Sequence, residues 1–366
     1  MPSPSVRRAE AAGVQPSNTE IFEDRPTTQT TISRELQFAA KDFESPSLRT
    51  SLIQLTTSIG LFIGVCAAMY WALQFSYALT LLLAIPAGAL LVRVFIVQHD
   101  CGHGSFFASR RANNVLGTMC SVFTLTPYSN WRRQHAGHHA NWNNLDKRTS
   151  GADIYSACLT VKEYREMTRW QRFAYRASRH PLIAHVLVPP LVFLFLYRVP
   201  FDTPQDWHRE RRAVYWTDLA LFLLLGALGF TVGFKALLLV QLPIIIVTSI
   251  VGVGLFAVQH RFDESLWMRQ PEWRFGDAAL QGSSYLKLPR LLQWFTGNIG
   301  FHNVHHLAPL VPNYHLESCF RANPQFVNSP SLSLREAFRA IRLSLWDEDR
   351  QQLIAFRELS RAKAAI

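Results

Sequence analysis

The sequence predicts an all-α integral membrane protein, with four transmembrane helices in two hairpins, an interfacial or re-entrant helix, and a cytosolic helical domain as a cap. Two observations support this fold class. Apolar residues are concentrated in a few long runs that are almost free of charge, although the mean hydropathy of the 366-residue chain is only +0.05. Charged residues make up 17% of the chain, and most lie between those runs. The apolar runs must therefore be balanced by large polar regions.

The first 45 residues are polar and lack the apolar segment of a cleavable signal peptide. They are rich in Pro, Ser, Thr and Gln, a composition that cannot bury enough apolar surface to fold alone. We therefore expect residues 1–45 to form a polar N-terminal tail, disordered above all over residues 1–30. The five cysteines form no CxxC pair, which favours a reducing, cytosol-facing environment.

The first predicted hairpin consists of residues 52–74 and 77–97. Residues 52–74 carry no charge, and about 20 apolar residues cross a hydrocarbon core of roughly 30 Å. The second run contains only Arg93, close enough to one end for its side chain to reach the interface. Because the link between the runs is short and uncharged, the chain returns to the side on which it started.

The second predicted hairpin consists of residues 215–232 and 234–258, with a tight turn at Gly233. A further apolar stretch, residues 182–199, lies between the two hairpins and contains two central prolines. If this stretch crossed the membrane once, the histidine-rich segments on its two sides would lie on opposite faces and could not share a site. We therefore expect it to be interfacial or re-entrant.

The chain is divided by these runs into a tail, a membrane domain over residues 46–325, and a C-terminal cytosolic helical segment over residues 326–366. Leu334, Phe338, Ile341 and Leu345 recur at helical spacing. This pattern predicts an amphipathic helix around residues 331–362.

Positive charge is concentrated in residues 104–180, which contain twelve Arg or Lys residues and four acidic ones, within a net charge of +11. Beside apolar spans, such a segment indicates the cytoplasmic face. It can contact lipid headgroups or bind an acidic partner protein. No nucleic-acid-binding motif accompanies it, so no nucleic-acid partner is expected.

Three histidine motifs flank the apolar runs. Residues 99–103 form HxxxH, and residues 135–139 and 302–306 each form HxxHH. On a helix, residues three and four apart lie on one face, so each motif can direct its imidazoles at one metal. The eight candidate metal ligands are His99, His103, His135, His138, His139, His302, His305 and His306.

Eight imidazoles exceed the four ligands of a typical zinc site and suit two metals with open positions. Imidazole binds Zn, Fe, Cu and Ni, so ligand type alone leaves the metal open. His260 follows the last predicted span as His99 follows the second. The centre is therefore expected at the cytoplasmic mouth of the helix bundle, within reach of a long-chain lipid.

Other residues near the motifs are candidates for supporting roles. Asp100 and Asp146 could hydrogen-bond a ligand histidine and fix its orientation, as carboxylates often do at metal sites. Trp131 and Trp142 are interpreted as anchors at the membrane interface.

At these motifs the chain resembles the membrane fatty-acid desaturases, and among them the bacterial enzymes related to omega-6 (Δ12) acyl-lipid desaturases. The order of hairpin, two motifs, hairpin and third motif is similar, and the resemblance covers about residues 45–325. The matching passages are HDCGHGSFF at 99–107, LTPYSNWRRQHAGHH at 125–139, VQHRFDE at 258–264 and GNIGFHNVHHLAPLVPNYHL at 297–316.

The resemblance implies two iron ions that activate O₂ and abstract hydrogens from an acyl chain, leaving a cis double bond at the Δ12 (omega-6) position. It implies that the eight motif histidines bind iron, that His260 is a ninth ligand, and that Asn298 holds a metal-bound water. No cytochrome b5-like haem segment is apparent, so we expect electrons from a separate ferredoxin or cytochrome b5. The expected partners are that protein, a fatty-acyl substrate and membrane lipid.

Two kinds of alternative remain open at this point. A hydroxylase, epoxygenase, acetylenase, or carotenoid or alkane oxygenase could use the same metal chemistry. A membrane metal transporter or sensor belongs to a different class. Its histidines are expected inside the spans, whereas these lie beyond the apolar runs.

Overall fold

The computed structural model describes residues 28–148 and 157–362, and most of them are helical. The helices are α1 (Thr28–Ala40), α2 (Leu48–Ala72), α3 (Tyr77–His103), α4 (Arg110–Thr124), α5 (Tyr128–Asn141), α6 (Val161–Glu166), α7 (Arg169–Ser178), α8 (Val188–Leu194), α9 (His208–Val232), α10 (Phe234–His260), α11 (Phe275–Gln281), α12 (Arg290–Phe295), α13 (His302–Leu307), α14 (Asn313–Ala322), α15 (Leu334–Ala340) and α16 (Phe356–Ala362). The strands are β1 (Leu159–Thr160), β2 (Tyr285–Leu286), β3 (Ser331–Leu332), β4 (Leu343–Asp347) and β5 (Gln352–Ala355). The predicted helical fold class is confirmed.

Four helices of the described residues are long and apolar enough to cross a membrane: α2, α3, α9 and α10. They coincide with the four predicted spans. The helices α3 and α10 run past the apolar residues and end at His103 and His260, respectively. The candidate ligands on these two helices therefore sit on continuous, rigid elements.

The ends of the long helices follow from local sequence. The helix α3 begins after Ser76, whose hydroxyl accepts a hydrogen bond from the backbone N–H of Leu79, as N-cap serines do. It ends at His103 and is followed by Gly104, which has a φ of +80°, a left-handed conformation that favours glycine. Gly233, with a φ of +89°, connects α9 to α10 without an intervening loop.

The helix α3 lies at the centre of the bundle and packs against α2, α4 and α10. Its close approach to α10 depends on Gly88, because a Cβ atom there would lie only 2.5 Å from the side chain of Val247. The hydroxyl of Thr248 on α10 also lies 3.3 Å from the backbone oxygen of Gly88. Small residues at such crossings let helix backbones approach closely in membrane proteins.

The stretch predicted as interfacial or re-entrant is a broken helix. It consists of a π-helical turn (Ile183–Leu187), α8 and a 3₁₀ turn (Leu196–Arg198), and it bends by 53° from α7. Pro189 and Pro190 lie in the first turn of α8, where proline is tolerated. Because α8 packs against α10, this stretch lies beside the second hairpin. Its interfacial location stays a prediction.

The predicted N-terminal tail is wrong for residues 28–45, while residues 1–27 lie outside the described residues. The helix α1 packs against α11 and α13 and contributes Leu36 and Ala40 to a buried cluster. Ile32 packs against the same cluster four residues earlier. The apolar stripe of α1 is narrow and the segment as a whole is polar, so its composition does not indicate a packed helix.

The predicted helix over residues 331–362 is also wrong. The helix α15 ends at Ala340, and the chain then forms an antiparallel hairpin of β4 and β5, with β1 parallel to β4 on its other side. The carboxylate of Asp347 accepts hydrogen bonds from the backbone N–H groups of Asp349 and Arg350. Such side-chain bonds compete with helix formation and favour turns, so a turn forms where the apolar spacing alone predicts a helix.

Candidate metal centre

Nine histidines from four helices meet where α3 and α10 end. The helix α3 contributes His99 and His103, and α10 contributes His260 as its last residue. The two HxxHH motifs lie on α5 and α13. Seven of the nine side chains are buried, and His103 and His135 are half-buried. The structure thus brings together all nine histidines that the sequence singled out.

The nine side chains divide into two groups. Five of them have ligand nitrogens within 4.8 Å of one another: His99, His103, His135, His139 and His305. Three others meet the same criterion: His138, His260 and His306. His302 belongs with the second group, because its Nε2 lies 3.0 Å from Nε2 of His260. The nine side chains therefore form one group of five and one group of four, and the number of metals stays a prediction.

The spacing of the nitrogens fits metal coordination better than hydrogen bonding. Nε2 of His135 lies 3.0 Å from that of His99, 3.1 Å from that of His103 and 3.2 Å from that of His139. One ring nitrogen carries at most one proton and cannot donate to three acceptors. Nitrogen ligands about 2.1 Å from a metal and at right angles to one another lie about 3.0 Å apart. The donor set therefore fits a bound metal.

The second group has the same geometry around His260. Its Nε2 lies 3.1 Å from that of His138 and 3.2 Å from that of His306. His135 and His260 are therefore the central ring of each group, although only His135 belongs to a histidine motif.

Burial keeps the rings in the form that binds metals. It lowers the pKa of five imidazoles well below the usual 6.5, and neighbouring rings lower it further, at His135, His139, His302, His305 and His306. These rings are neutral near pH 7, and a neutral imidazole offers a lone pair to a metal. These five rings are thus uncharged donors.

A cavity of about 170 Å³ opens onto the histidines. Its histidine wall consists of His99, His135, His138 and His302. Along α10, its lining runs from Thr248 to Gln259, and the remaining wall includes Phe193 of α8 and Tyr197 and Phe201 of the segment after it. The cavity is mostly apolar and extends beside the two central membrane helices. Its shape and chemistry suit an apolar chain lying against the metal centre.

Comparison with known proteins agrees with this arrangement. The model of the "Fatty acid desaturase" family matches residues 74–337, a range that contains all nine histidines. The chain belongs to the fatty acid desaturase family. It is accordingly an oxidoreductase, and its histidine cluster is the metal-binding feature of a membrane enzyme.

Relatives of this desaturase come from bacteria and plants. It is 41% identical over 342 residues to a fatty acid desaturase of Bacillus subtilis, covering 93% of this chain and 96% of that protein. It is 29% identical to the sn-1 acyl-lipid omega-3 desaturase (ferredoxin) of Synechocystis, covering 77% of each chain. It is 28% identical to the acyl-lipid omega-3 desaturase (cytochrome b5) of Arabidopsis thaliana, covering 69% of this chain and 62% of that protein.

Asp100 lies beside His99, one of the candidate ligands. One carboxylate oxygen is 3.3 Å from Nδ1 of His99. The other accepts hydrogen bonds from the backbone and side-chain N–H groups of Asn313, at 2.7 and 2.8 Å. The Asn313 amide pairs in turn with the amide of Gln54 on α2. Asn313 and Gln54 were not singled out from the sequence, since neither belongs to a motif.

Asp146, the other carboxylate considered, has a different role. It is half-exposed and forms an ion pair with Arg269 at 2.8 Å. It also accepts a hydrogen bond from the backbone of Gln270. Its described contacts fix the loop after α5 to the loop after α10.

The interpretation of Trp131 and Trp142 as interfacial anchors is wrong. The Trp131 ring stacks on His135 with centroids 4.6 Å apart and planes 16° apart. Trp142 is buried, with its ring centroid 4.0 Å from that of His260, and its Nε1–H donates to the backbone oxygen of Gly282. Each tryptophan therefore packs against the central ring of one group. Trp131 lies four residues before the HxxHH motif of α5 and Trp142 three residues after it, and this spacing was the available signal.

Asn298 lies near the site but is engaged elsewhere. Its side-chain amide donates a hydrogen bond to the backbone oxygen of Asn313 at 3.2 Å. Its φ of +57° places it in the left-handed region, which asparagine tolerates. Its link to the histidines runs through Asn313 and Asp100, and a role in holding a metal-bound water stays a prediction.

Proposed function

We propose that this protein is an O₂-dependent fatty-acyl desaturase that introduces a cis double bond into a membrane-associated acyl chain with a histidine-ligated di-iron centre. The observation that carries the proposal is that histidines of both groups lie on the wall of a mostly apolar cavity. In the overall reaction a –CH₂–CH₂– unit loses two hydrogens. One O₂ is reduced to two waters with two electrons from a donor protein and two protons.

The nine histidines would hold the two irons, five around one and four around the other. Bound iron would supply the activation of O₂ and the abstraction of hydrogen. The protein residues position the substrate and the ligands. The cavity walls hold the acyl chain against the histidines and exclude water, and Asp100 holds the His99 ring in place.

The substrate is proposed to be the acyl chain of a membrane lipid, with the new double bond at the Δ12 (omega-6) position. The relatives from Synechocystis and Arabidopsis are described as acyl-lipid desaturases with omega-3 specificity. The cavity reaches beside α10, a helix long and apolar enough to span the bilayer, which supports entry of the chain from the membrane.

Electrons are proposed to come from a separate ferredoxin or cytochrome b5, donors that appear in the descriptions of those two relatives. Residues 104–180 carry the main excess of positive charge, which would attract an acidic donor. The same excess supports a cytoplasmic location of the metal site.

The test is expression in a host that lacks polyunsaturated lipids, followed by mass spectrometry of fatty-acid methyl esters. We expect a new diene that is absent with His135→Ala and present with His208→Ala, an exposed histidine outside the cluster. Double-bond position in the product tests the omega-6 assignment. A hydroxylated or epoxidised product, or an unchanged lipid profile in iron-loaded protein supplied with reductant, would contradict the proposal.

A further inference from the structure

The helix α7 turns its apolar side chains away from the rest of the protein. Trp170 and Phe173 are 80% and 66% exposed. Residues three and four apart share a helical face, so Ala174 and Ala177 extend the same apolar stripe. The stripe forms a well-defined face, because the other residues of this ten-residue helix are mainly arginine and polar.

The opposite face of α7 holds the helix to the cap, which consists of the sheet of β1, β4 and β5 with the helices α6 and α16 packed against it. The hydroxyl of Tyr175 donates to the backbone oxygen of Ser344 in β4 and accepts from the backbone N–H of Leu159 in β1, at 2.8 and 3.1 Å. Nε of Arg176 donates to the hydroxyl of Tyr164 at 2.7 Å. A surface helix of a soluble protein buries its apolar stripe and exposes its polar face. Here the arrangement is reversed, so the apolar stripe needs an external apolar partner.

Charge and chain continuity identify that partner as the bilayer. Arg169 at the start of α7 and Arg165 near the end of the preceding helix α6 are exposed, and such cationic side chains can meet lipid phosphates. After the 53° bend, the exposed apolar surface continues through Leu187, Leu191 and Phe195. That stretch packs against α10, one of the membrane helices. The apolar stripe is therefore continuous with the membrane-facing part of the molecule.

We propose that α7 is an interfacial anchor that binds the surface of an anionic bilayer. Trp170 and Phe173 lie among the acyl chains, and Arg165 and Arg169 contact the phosphates. Because Tyr175 joins α7 to β1 and β4, the anchor fixes the cap sheet at the membrane surface. It also fixes the start of the segment that lines the cavity through Phe193 and Tyr197. The anchor does not depend on the reaction proposed above.

The test uses the full chain in vesicles of phosphatidylcholine and phosphatidylglycerol, with an environment-sensitive fluorophore on Phe173→Cys. The matched control is Asp349→Cys, in the exposed turn between β4 and β5. Four of the five native cysteines are buried and Cys66 lies within α2, so wild-type protein treated with the reagent gives the background. Trp170→Cys provides a second labelling position on the stripe.

Since interfacial helices bury their apolar faces about 5–10 Å deep, we expect lipid-borne spin-label quenchers to act at least about twofold more strongly at position 173 than at position 349. Iodide, a quencher dissolved in the water, should act more strongly at position 349 than at position 173. Exchanging Arg165 and Arg169 for Gln should weaken lipid quenching at 173 in the anionic vesicles. Equal lipid quenching at 173 and 349, or strong iodide quenching at both stripe positions, would overturn the proposal and favour a protein partner for this face.

Discussion

At the scale of single residues, the candidate ligand His99 is held by a chain of polar contacts that begins in the membrane helix α2. Gln54 holds the Asn313 amide, Asn313 holds Asp100, and Asp100 approaches His99. All four side chains are buried. A buried polar chain of this kind fixes ring orientation, because each member would lose its partner if another moved.

Replacing Asp100 with Asn should weaken metal binding without removing a ligand. Outer carboxylates at metal sites typically contribute 10–100-fold to affinity, so we expect roughly that loss in the iron affinity of Asp100→Asn. Iron release to a competing chelator measures the effect. Asp146→Asn is the matched control and should release iron at the wild-type rate. Equal rates for Asp100→Asn and wild-type protein would show that the carboxylate does not support His99.

Glu163 provides a pH-dependent contribution to stability in the cap. Two hydrogen bonds from Arg148, at 2.5 and 2.8 Å, lower the pKa of this carboxyl from 4.5 to about 2. The folded state therefore binds fewer protons than the unfolded state between these values, so the contribution is present above pH 4.5 and is lost as the pH falls towards 2.

The Glu163→Gln variant should accordingly show a smaller fall in thermal stability over this acidic window than wild-type protein. Thermal unfolding midpoints in detergent, measured at a series of pH values, give the comparison. Glu166→Gln, at an exposed position of the same short helix, should keep the wild-type slope. Identical slopes for Glu163→Gln and wild-type protein would contradict the assignment.

At the scale of elements, the sequence predicts what depends on local pattern and misses what depends on distant partners. The spans and the three histidine motifs follow from uncharged runs and helical spacing, which need no knowledge of neighbours. The helix α1 is not predicted, because its apolar stripe is narrow and the segment as a whole is polar. The β4–β5 hairpin is not predicted either, because it depends on the turn at Asp347. Asn313 was missed because its partner Asp100 is 213 residues away.

The helix α10 suggests which position limits the length of the acyl chain. Gly252 lines the cavity, and a Cβ atom there would meet no other atom within 4 Å, so a side chain would point into open cavity space. Gly252 precedes His260 by eight residues, or about 12 Å along a helix. Under the proposed function, a chain that extends past the metal centre would meet any larger residue at this position.

We expect Gly252→Val to shift the products towards shorter acyl chains, with unchanged iron content. Gly254→Val is the matched control, because a Cβ atom there also meets open space but Gly254 does not line the cavity. Both substitutions slightly favour helix formation, so folding should be preserved. Fatty-acid methyl ester profiles of cells fed chains of different length measure the shift. The same profile from both variants would argue against a role of Gly252 in substrate length.

At the scale of the whole molecule, the metal centre joins parts of the chain that are far apart in sequence. The helices α3 and α10 come from the two membrane hairpins, α5 lies between the hairpins, and α13 follows the second hairpin. Bound metal would connect all four. Ligand binding stabilises a folded state by mass action, by about 2.7 kcal/mol when the free ligand is at 100 times its dissociation constant.

Removing the metal should therefore destabilise the membrane bundle and the cap together. We expect chelation to lower the unfolding midpoint on the order of 5 °C, given the usual relation between stability and melting temperature. Thermal scans of detergent-purified protein with and without chelator measure the shift. In His208→Ala, the chelator should lower the unfolding midpoint as much as in wild-type protein. In His260→Ala, the chelator should lower it less, because this substitution removes the central ring of the four-histidine group. If the chelator lowers the unfolding midpoint of His260→Ala as much as that of wild-type protein, the proposal that bound metal connects the four helices through His260 is contradicted.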